Sequence, residues 1–311
     1  MSATSNRISN NKEVGIVVTG ATSLIGQFLL PQLRNEGYKI YALTRSEINR
    51  SKVKNTSNEW RHYDGSLKSI TPKISNTNIL IHLAPLYSLP DIIEELASLG
   101  GERIIAFSST SRFSKINSPI ASEQEVAQKL SSAEKSVTSI CNDHQIESVI
   151  FRPTLIYGAG LDQNVSSVAS FIQRFRCFPL VGKSTGLRQP VHAEDLAIAC
   201  AKILNVKKIP NQFYNLVGGE SLTYKKMIER IFLALNKKAR FISFPLPLFK
   251  VLIKCISIIP AYSHLTTEMA DRINRDLCFD STEAINDFGY KPREFYPKKE
   301  DLIKKSSNAN F

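Results

Sequence analysis

Short runs of apolar residues alternate along the chain with segments in which apolar residues follow a helical spacing. The first run, residues 16–18, is β-branched and typical of a buried strand, and Leu24, Ile25, Phe28, Leu29 and Leu33 then mark one face of a helix. Further strands are predicted over 38–43, 60–64, 78–83, 103–107, 147–151 and 212–217, and further helices over 122–137 and 197–204. This alternation predicts an α/β fold with a doubly wound parallel sheet.

The junction of the first strand and the first helix is a glycine-containing turn, Thr19-Gly20-Ala21-Thr22-Ser23-Leu24-Ile25-Gly26. Gly20 allows a tight turn, and Gly26 lets the helix approach the strand closely. Ser23 stands where a middle glycine is usual, and its hydroxyl can donate a hydrogen bond to a phosphate. The amino end of the helix presents N–H groups and a positive dipole to a pyrophosphate. The turn therefore predicts a dinucleotide site, with contacts from Gly20, Thr22, Ser23, Leu24, Ile25 and Gly26.

The end of the second strand distinguishes between the two nicotinamide cofactors. An acidic residue there would bind the ribose 2′-hydroxyl of NAD, whereas a basic one accommodates the 2′-phosphate of NADP. The strand ends Leu43-Thr44-Arg45, which favours NADP. The alternative is that Arg45 only extends along the protein surface into solvent.

Composition narrows the function classes. The five cysteines are scattered without metal-ligand spacing, so we expect neither a disulfide scaffold nor a metal site, and a cytoplasmic location. Residues 1–13 are polar and are expected to form a loose tail. The net charge of +12 indicates either an anionic ligand or a lysine-rich solvated surface. Nucleic acid is not expected, because basic residues and aromatics do not interleave.

The turn at residues 19–26, the segment Arg152-Pro153-Thr154-Leu155-Ile156-Tyr157-Gly158 and the segment 188–196 occur in the order in which similar segments occur in the extended short-chain dehydrogenase/reductase family. This family comprises the NAD-dependent epimerase/dehydratases, and the resemblance spans roughly residues 14–297. It implies a Rossmann domain over 14–157 and 196–217 and a small substrate lobe over 158–195 and 218–297. Residues 298–311 are polar and are expected to form a tail that frays.

The same resemblance implies several cofactor contacts. Asp64 is placed like a carboxylate beside the adenine ring, and the segment after the fourth strand, Leu83, Ala84 and Pro85, lies beneath the cofactor. Ser108 belongs to a hydroxyl cluster at the end of the fifth strand, where an open α/β sheet places its ligands. Thr110 in that cluster matches the catalytic Ser/Thr, and Pro153 lies by the nicotinamide ribose.

One family position departs from the pattern. Lys129 matches the lysine of a Tyr-x-x-x-Lys pair, but Glu125 stands four residues before it where the tyrosine should be. A lysine one turn away would help a tyrosine to exchange a proton near neutral pH. Glu125 could replace it only with a pKa raised by burial. The alternative is an ordinary ion pair on a helix surface.

For the substrate, the resemblance implies that Asn164, Arg188 and Arg275 contact the diphosphate of a nucleotide-linked sugar. Two functions stay open: an NAD(P)-dependent nucleotide-sugar epimerase, reductase or dehydratase, in surface-polysaccharide or related sugar metabolism, and a non-catalytic NADP(H)-binding subunit. A homodimer is also expected. The apolar stretch 241–260 predicts either a helix of the substrate lobe or an interfacial membrane contact.

Overall fold

The structure, a computed structural model, describes residues 15–45, 59–67, 77–209, 212–247, 249 and 267–304. Within these residues a parallel sheet of seven strands forms the centre of the molecule, in the order β11-β6-β5-β4-β1-β2-β3. Its strands are β1 (Gly15–Thr19), β2 (Lys39–Thr44), β3 (Glu59–His62), β4 (Thr77–His82), β5 (Arg103–Phe107), β6 (Glu147–Pro153) and β11 (Gln212–Leu216). The doubly wound parallel fold is confirmed.

Strand β1 lies between β2 and β4, so the strand order reverses there. In an open α/β sheet, this reversal opens a crevice at the carboxyl ends of the strands. The turn at Gly20 lies at that point. The ends of β4, β5 and β6 point to the same edge, because all of these strands are parallel.

Helices cover both faces of the sheet. They are α1 (Leu24–Asn35), α2 (Pro90–Ser98), α3 (Ser111–Ser114), α4 (Ala121–Asp143), α5 (Val165–Phe175), α6 (Ala193–Leu204), α7 (Tyr224–Ala234), α8 (Thr267–Ile273), α9 (Thr282–Phe288) and α10 (Lys299–Leu302). Helix α1 packs against α6 on one face, and α2 packs against α4 on the other. A 3-10 turn, Leu86–Ser88, connects β4 to α2 and packs against α4.

A second hydrophobic core belongs to the smaller lobe. It is built from α5, α7 and the parallel pair of β8 (Phe178–Val181) and β13 (Phe241–Phe244). The two-residue strands are β7 (Ile156–Tyr157), β9 (Leu187–Arg188), β10 (Val191–His192) and β12 (Leu222–Thr223). Residues 241–244 of the apolar stretch 241–260 therefore pair with a strand of this lobe. Residues 248 and 250–260 lie outside the described residues.

The boundary between the lobes differs from the sequence prediction in one place. Helix α9 was assigned to the substrate lobe, but Ala284 and Phe288 pack into the core of the Rossmann domain. The Tyr214 hydroxyl of β11 donates to Asp287 at 2.6 Å. The chain thus returns to the edge of the main sheet after it has built the second lobe.

The tail assignment is also corrected. Residues 298–304 were expected to fray, but α10 packs against α5 and Leu302 is buried. The carbonyl of Asp301 accepts from the Gly160 backbone N–H at 2.9 Å. The buried Leu302 side chain and this hydrogen bond attach the segment to the second lobe. Residues 1–14 and 305–311 lie outside the described residues.

No helix among the described residues is both long and apolar enough to cross a membrane.

Candidate cofactor and active site

At Gly20 the backbone of the turn packs closely against the backbone of Leu83 and Ala84. Gly20 has φ +64°, the left-handed region that favours glycine. A Cβ at this position would lie 2.7 Å from the Leu83 carbonyl carbon and the Ala84 nitrogen. The Leu83 N–H donates to the Thr19 carbonyl at 3.0 Å, so the ends of β1 and β4 are joined directly. A side chain larger than hydrogen would separate them.

Ser23 is the N-cap of α1. Its Oγ accepts from the Gly26 N–H at 3.2 Å, and its own N–H donates to the Gly20 carbonyl at 2.9 Å. The hydroxyl hydrogen is free of this cap contact and can donate to a phosphate. A Cβ at Gly26 would overlap the Ala21 carbonyl oxygen, which is the reason for glycine there. The two glycines and Ser23 thus shape one turn.

His82, at the end of β4, is a structural residue. Its side chain is fully buried, with Nδ1 lying 2.8 Å from the Thr19 hydroxyl and Nε2 3.2 Å from the Pro85 carbonyl. Burial lowers the pKa of His82 to about 4. The neutral ring can therefore donate from Nε2 and accept at Nδ1, which holds the segment 83–85 against β1.

Thr110 and Pro153 meet where β5 and β6 end. The Thr110 N–H and the Thr110 hydroxyl both donate to the Pro153 carbonyl, each at 3.1 Å. Thr110 is buried, with 6% of its surface exposed. Its hydroxyl oxygen retains the capacity to accept a hydrogen bond.

A buried ionic cluster lies directly beneath this hydroxyl turn, and sequence reasoning missed it. Glu134 of α4 is 1% exposed and accepts from the Ser108 hydroxyl at 2.5 Å. Arg152 donates to the same carboxylate from Nε at 2.9 Å and from Nη2 at 2.5 Å, and Arg112 donates to it as well. The Arg152 guanidinium also stacks over the Phe213 ring, 4.1 Å from its centroid.

A signal for this cluster exists in the sequence. Glu134 shares a helix face with Val137 and Cys141, which point into the core. A carboxylate on the apolar face of a helix needs a buried cation as a partner. Only the fold shows that the cations are Arg112 and Arg152.

The Glu125–Lys129 pair has a different environment. The two charged groups lie 2.6 Å apart, and their side chains are 60% and 58% exposed. The hydrogen bond from Lys129 and its positive charge lower the pKa of Glu125. A catalytic Glu125 would need a buried carboxyl with a raised pKa. In the structure the carboxyl is exposed and its pKa is lowered. The surface ion pair is the interpretation that these observations support.

Arg45 and Asp64 lie at the carboxyl edge on the β2–β3 side. Arg45 is exposed and follows β2 directly, and β2 neighbours β1, so it extends from the same edge as the Gly20 turn. Asp64 was expected to end the third strand, but β3 ends at His62, and Asp64 lies in the following turn. There it is exposed and accepts from the Ser66 N–H at 3.0 Å.

The three substrate candidates are placed differently from one another. Arg188 is 7% exposed and donates to the carbonyls of Leu187 at 2.7 Å and Arg275 at 2.8 Å, and to that of Arg272. Burial lowers the pKa of its guanidinium. The Arg275 side chain is 58% exposed and pairs with Glu268 at 2.9 Å. Asn164 is exposed at the amino end of α5. The fold thus brings Arg188 and Arg275 together.

Taken together, these residues fit a bound dinucleotide. A turn that only glycine can make, the amino end of α1 and an adjacent basic residue meet at the switch point of the sheet, with Thr110 two strands away from β1. Among the described residues, no cluster of three or more His, Cys, Asp or Glu side chains could hold a metal ion.

Comparison with known proteins shows which family and which folds the chain is similar to. Residues 90–216 match the model of the NAD dependent epimerase/dehydratase family. The resemblance to this family is confirmed over these residues, which are less than half of the chain. A UDP-glucose 4-epimerase from Vibrio cholerae is 23% identical over 172 residues, covering 55% of this chain and 50% of that protein. The chain spans about half the length of the first curated relatives that it matches.

Solved structures of other proteins share the fold over nearly the whole chain. The UDP-N-acetylglucosamine 4-epimerase from Bacillus cereus superposes with a TM-score of 0.70 at 17% identity, covering 94% of this chain and 99% of that one. MoeE5 in complex with UDP-glucuronic acid and NAD gives a TM-score of 0.68 at 17% identity, covering 93% and 97%. At these identities the likeness establishes the fold.

Proposed function

We propose that this protein is an NAD(P)-dependent enzyme that epimerises, reduces or dehydrates a nucleotide-linked sugar. The observation that carries the proposal is the Gly20 turn, whose backbone packs on Leu83 and Ala84 at the switch point of the sheet. A nicotinamide dinucleotide, when bound, supplies reversible hydride exchange with a substrate carbon. The match to the family and the ligands named for MoeE5 support this substrate class.

The cofactor is held by the turn and its flanks. Gly20 and Gly26 let the pyrophosphate approach the amino end of α1, and the Ser23 hydroxyl donates to it. Thr22, Leu24 and Ile25 complete this turn, and Asp64 and the segment 83–85 flank the adenine and nicotinamide sides. Ser108 and Pro153 hold the ends of β5 and β6 in place.

Thr110 polarises the reacting oxygen of the sugar. In the structure its hydroxyl hydrogen points to the Pro153 carbonyl at 3.1 Å. For this role the hydroxyl must rotate so that it donates to the substrate instead, while the Thr110 backbone N–H keeps the contact with Pro153. Lys129 lies on the adjacent helix α4 and pairs with Glu125, so it must leave this ion pair to act on the ligand.

Arg275 and Arg188 have different roles in binding the sugar nucleotide. Three backbone carbonyls already accept from the Arg188 guanidinium, so this residue supports the chain around residue 275. The exposed Arg275 guanidinium is the group that donates hydrogen bonds to the diphosphate. Asn164 contacts the same ligand from the start of α5.

The experiment that tests the function measures binding and turnover together. Calorimetric titration with UDP-glucose and UDP-N-acetylglucosamine, in the presence of NAD or NADP, should show binding of at least one sugar nucleotide. Product analysis by NMR should then show a changed sugar. Cofactor binding without any sugar-nucleotide binding or turnover would favour the non-catalytic NADP(H)-binding subunit instead.

NADP is expected to bind more tightly than NAD, because Arg45 can pair with the 2′-phosphate. The Arg45→Ala variant should lose about 10- to 100-fold in NADP affinity, the value of one or two charge-assisted hydrogen bonds. Its NAD affinity should stay unchanged. Isothermal titration of both cofactors measures this, with Arg174→Ala as a control for loss of an exposed arginine. If NAD binds more tightly to the wild type, the NADP assignment is wrong.

Replacing Arg275 by alanine is expected to weaken UDP-sugar binding by about 10- to 100-fold, because a charge-assisted contact to the diphosphate is lost. Arg275→Lys should recover part of the loss, since a lysine keeps the charge but not the bidentate geometry. Cofactor affinity serves as the internal control and should not change. Unaltered UDP-sugar affinity in Arg275→Ala would contradict the proposed diphosphate contact.

A further inference from the structure

Two long segments that build the second lobe lack acidic residues. No Asp or Glu occurs between Asp162 and Glu194, or between Glu229 and Glu268. Lysine and arginine occur in both segments, so each carries only positive charge near neutral pH. The net charge of +12 is therefore unevenly distributed along the chain, and much of it belongs to this lobe.

Five of these cations lie at the carboxyl ends of the two helices of that lobe: Arg174, Arg176, Lys237, Lys238 and Arg240. The first two belong to the last turn and the C-cap of α5, and the other three follow α7. Four of the five are exposed and Lys237 is partly buried. No ion pair within the described part of the chain involves any of them. Their charge therefore remains available to an anionic partner.

Three large apolar side chains are exposed beside these cations. Phe175 is 53% exposed and stands between Arg174 and Arg176 in the sequence. Leu233, in the last turn of α7, is 68% exposed, and Ile242 of β13 is 49% exposed. A single exposed apolar side chain is ordinary on a protein surface, whereas several of them rimmed by polar groups indicate an interaction site.

Aromatic packing brings the end of α5 to the start of the β8–β13 pair. The Phe171 ring lies 4.6 Å from the Phe175 ring and 5.6 Å from the Phe178 ring, measured between centroids. The Phe178 N–H donates to the Arg240 carbonyl at 2.9 Å. Arg240 therefore lies close to Arg176, which stands two residues before Phe178.

The end of α7 belongs to the same surface. The Phe232 ring lies 5.8 Å from the Phe241 ring of β13, and the Phe232 carbonyl accepts from the Lys237 N–H at 2.9 Å. Leu233 directly follows Phe232, and helices α5 and α7 pack against each other. One surface, which we call the basic end of the second lobe, is thus formed by residues 174–176, 233–240 and 242.

This surface is separate from the sites described above. Helix α5 has 11 residues and is about 16 Å long, and Asn164 lies at its opposite end. Cations at the carboxyl end of a helix stabilise its dipole, which accounts for part of the charge. The dipole does not account for Phe175 and Leu233, because leaving an apolar side chain in water is unfavourable.

We propose that the basic end of the second lobe binds the surface of an anionic lipid membrane. Lipid headgroups supply the negative charge, and the acyl chains beneath them accept Phe175 and Leu233. The long stems of lysine and arginine let their charged groups stay at the level of the headgroups. A nucleic acid would match the charge but give Leu233 and Ile242 no apolar partner. Membrane binding is independent of the proposed function, because no residue of this surface is assigned to the cofactor or the sugar.

Co-sedimentation of the full chain with lipid vesicles tests membrane binding. Vesicles of phosphatidylglycerol and phosphatidylcholine in equal parts should bind the protein at least about tenfold more tightly than vesicles of phosphatidylcholine alone, since each basic residue near an anionic surface contributes about fivefold. Raising the salt concentration should weaken the binding, because salt screens exposed charges. Equal binding to the two kinds of vesicle, or binding to neither, would overturn the proposal.

The charge-reversal variant is Lys237→Glu with Lys238→Glu, and its matched control is Lys207→Glu with Lys208→Glu. The control lysines are exposed and follow α6 on the Rossmann domain. The first variant should bind anionic vesicles at least about 20-fold more weakly, and the control should change binding by less than about threefold. Equal losses in the two double variants would show that the overall charge attracts the protein, which would contradict a role for this surface.

Phe175→Gln with Leu233→Gln tests the apolar part of the surface. Losing the burial of these two side chains should weaken vesicle binding by at least about tenfold. Ile285→Gln, on α9 beside the main sheet, is the control for loss of an exposed apolar side chain and should keep the wild-type affinity. Unchanged binding in the double variant would indicate a site for soluble polyanions instead and would overturn membrane binding.

Two further measurements separate the alternatives. The thermal midpoints of the variants should match that of the wild type, since every substituted side chain is exposed or partly exposed. A wild type that sediments as a dimer, and as a monomer after Phe175→Gln with Leu233→Gln, would show that a second copy of the chain covers this surface and would overturn membrane binding. Vesicle binding without any sugar-nucleotide binding or turnover would overturn the proposed function alone.

Discussion

The Glu134→Ala variant is expected to lose about 3–5 kcal/mol of unfolding free energy, the usual cost of removing one partner from a buried ion pair. Its carboxylate is 1% exposed and accepts from Arg112, Arg152 and the Ser108 hydroxyl. Without it, the Arg112 and Arg152 side chains, which are 21% and 12% exposed, lose their shared counter-charge. Urea denaturation followed by circular dichroism measures the change.

Glu125→Ala is the matched control, because it removes a carboxylate and an ion pair from the same helix. Its side chain is 60% exposed, so its loss should leave the urea midpoint almost unchanged. Glu134→Gln keeps the size of the side chain and removes only the charge. A Glu134→Ala variant that unfolds at the same urea concentration as Glu125→Ala would show that the cluster does not stabilise the fold.

The Gly20→Ala variant is expected to lose cofactor binding by at least about 100-fold. Two effects combine: φ +64° costs a residue with a Cβ about 1–2 kcal/mol, and the new atom would lie 2.7 Å from the backbone at Leu83 and Ala84. The backbone must shift to relieve the contact, which separates β1 from β4 where the pyrophosphate should lie. Titration with NAD and NADP measures the loss.

Gly100→Ala separates these two effects. Gly100 has φ +77°, but a Cβ there would meet no atom within 4 Å. It should therefore show only the conformational cost, as a small fall in stability, and keep its cofactor affinity. Equal cofactor affinity in Gly20→Ala and the wild type would contradict the placement of the pyrophosphate at this turn.

Much of the fold is determined by the sequence alone. The strand predicted over 103–107 has the same bounds in the structure. The strand predicted over 60–64 extends two residues beyond the observed end of β3 at His62. Buried parallel strands and amphipathic helices have short periods, so a few neighbouring residues specify each one. The turn at Gly20 is equally local, because backbone conformation at a glycine and the helix start that follows are read from eight consecutive residues.

The site depends on contacts that no local pattern specifies. Glu134 meets Ser108 and Arg152 across separations of 26 and 18 residues, and Arg188 meets Arg275 across 87. The packing of α4 against the sheet decides whether Glu125 is buried and which cations Glu134 contacts. Local sequence determines the elements, because their hydrogen bonds and periodicity are short-range. The tertiary structure decides which charged side chains are buried and which partners they contact, because burial and proximity arise only when distant segments pack together.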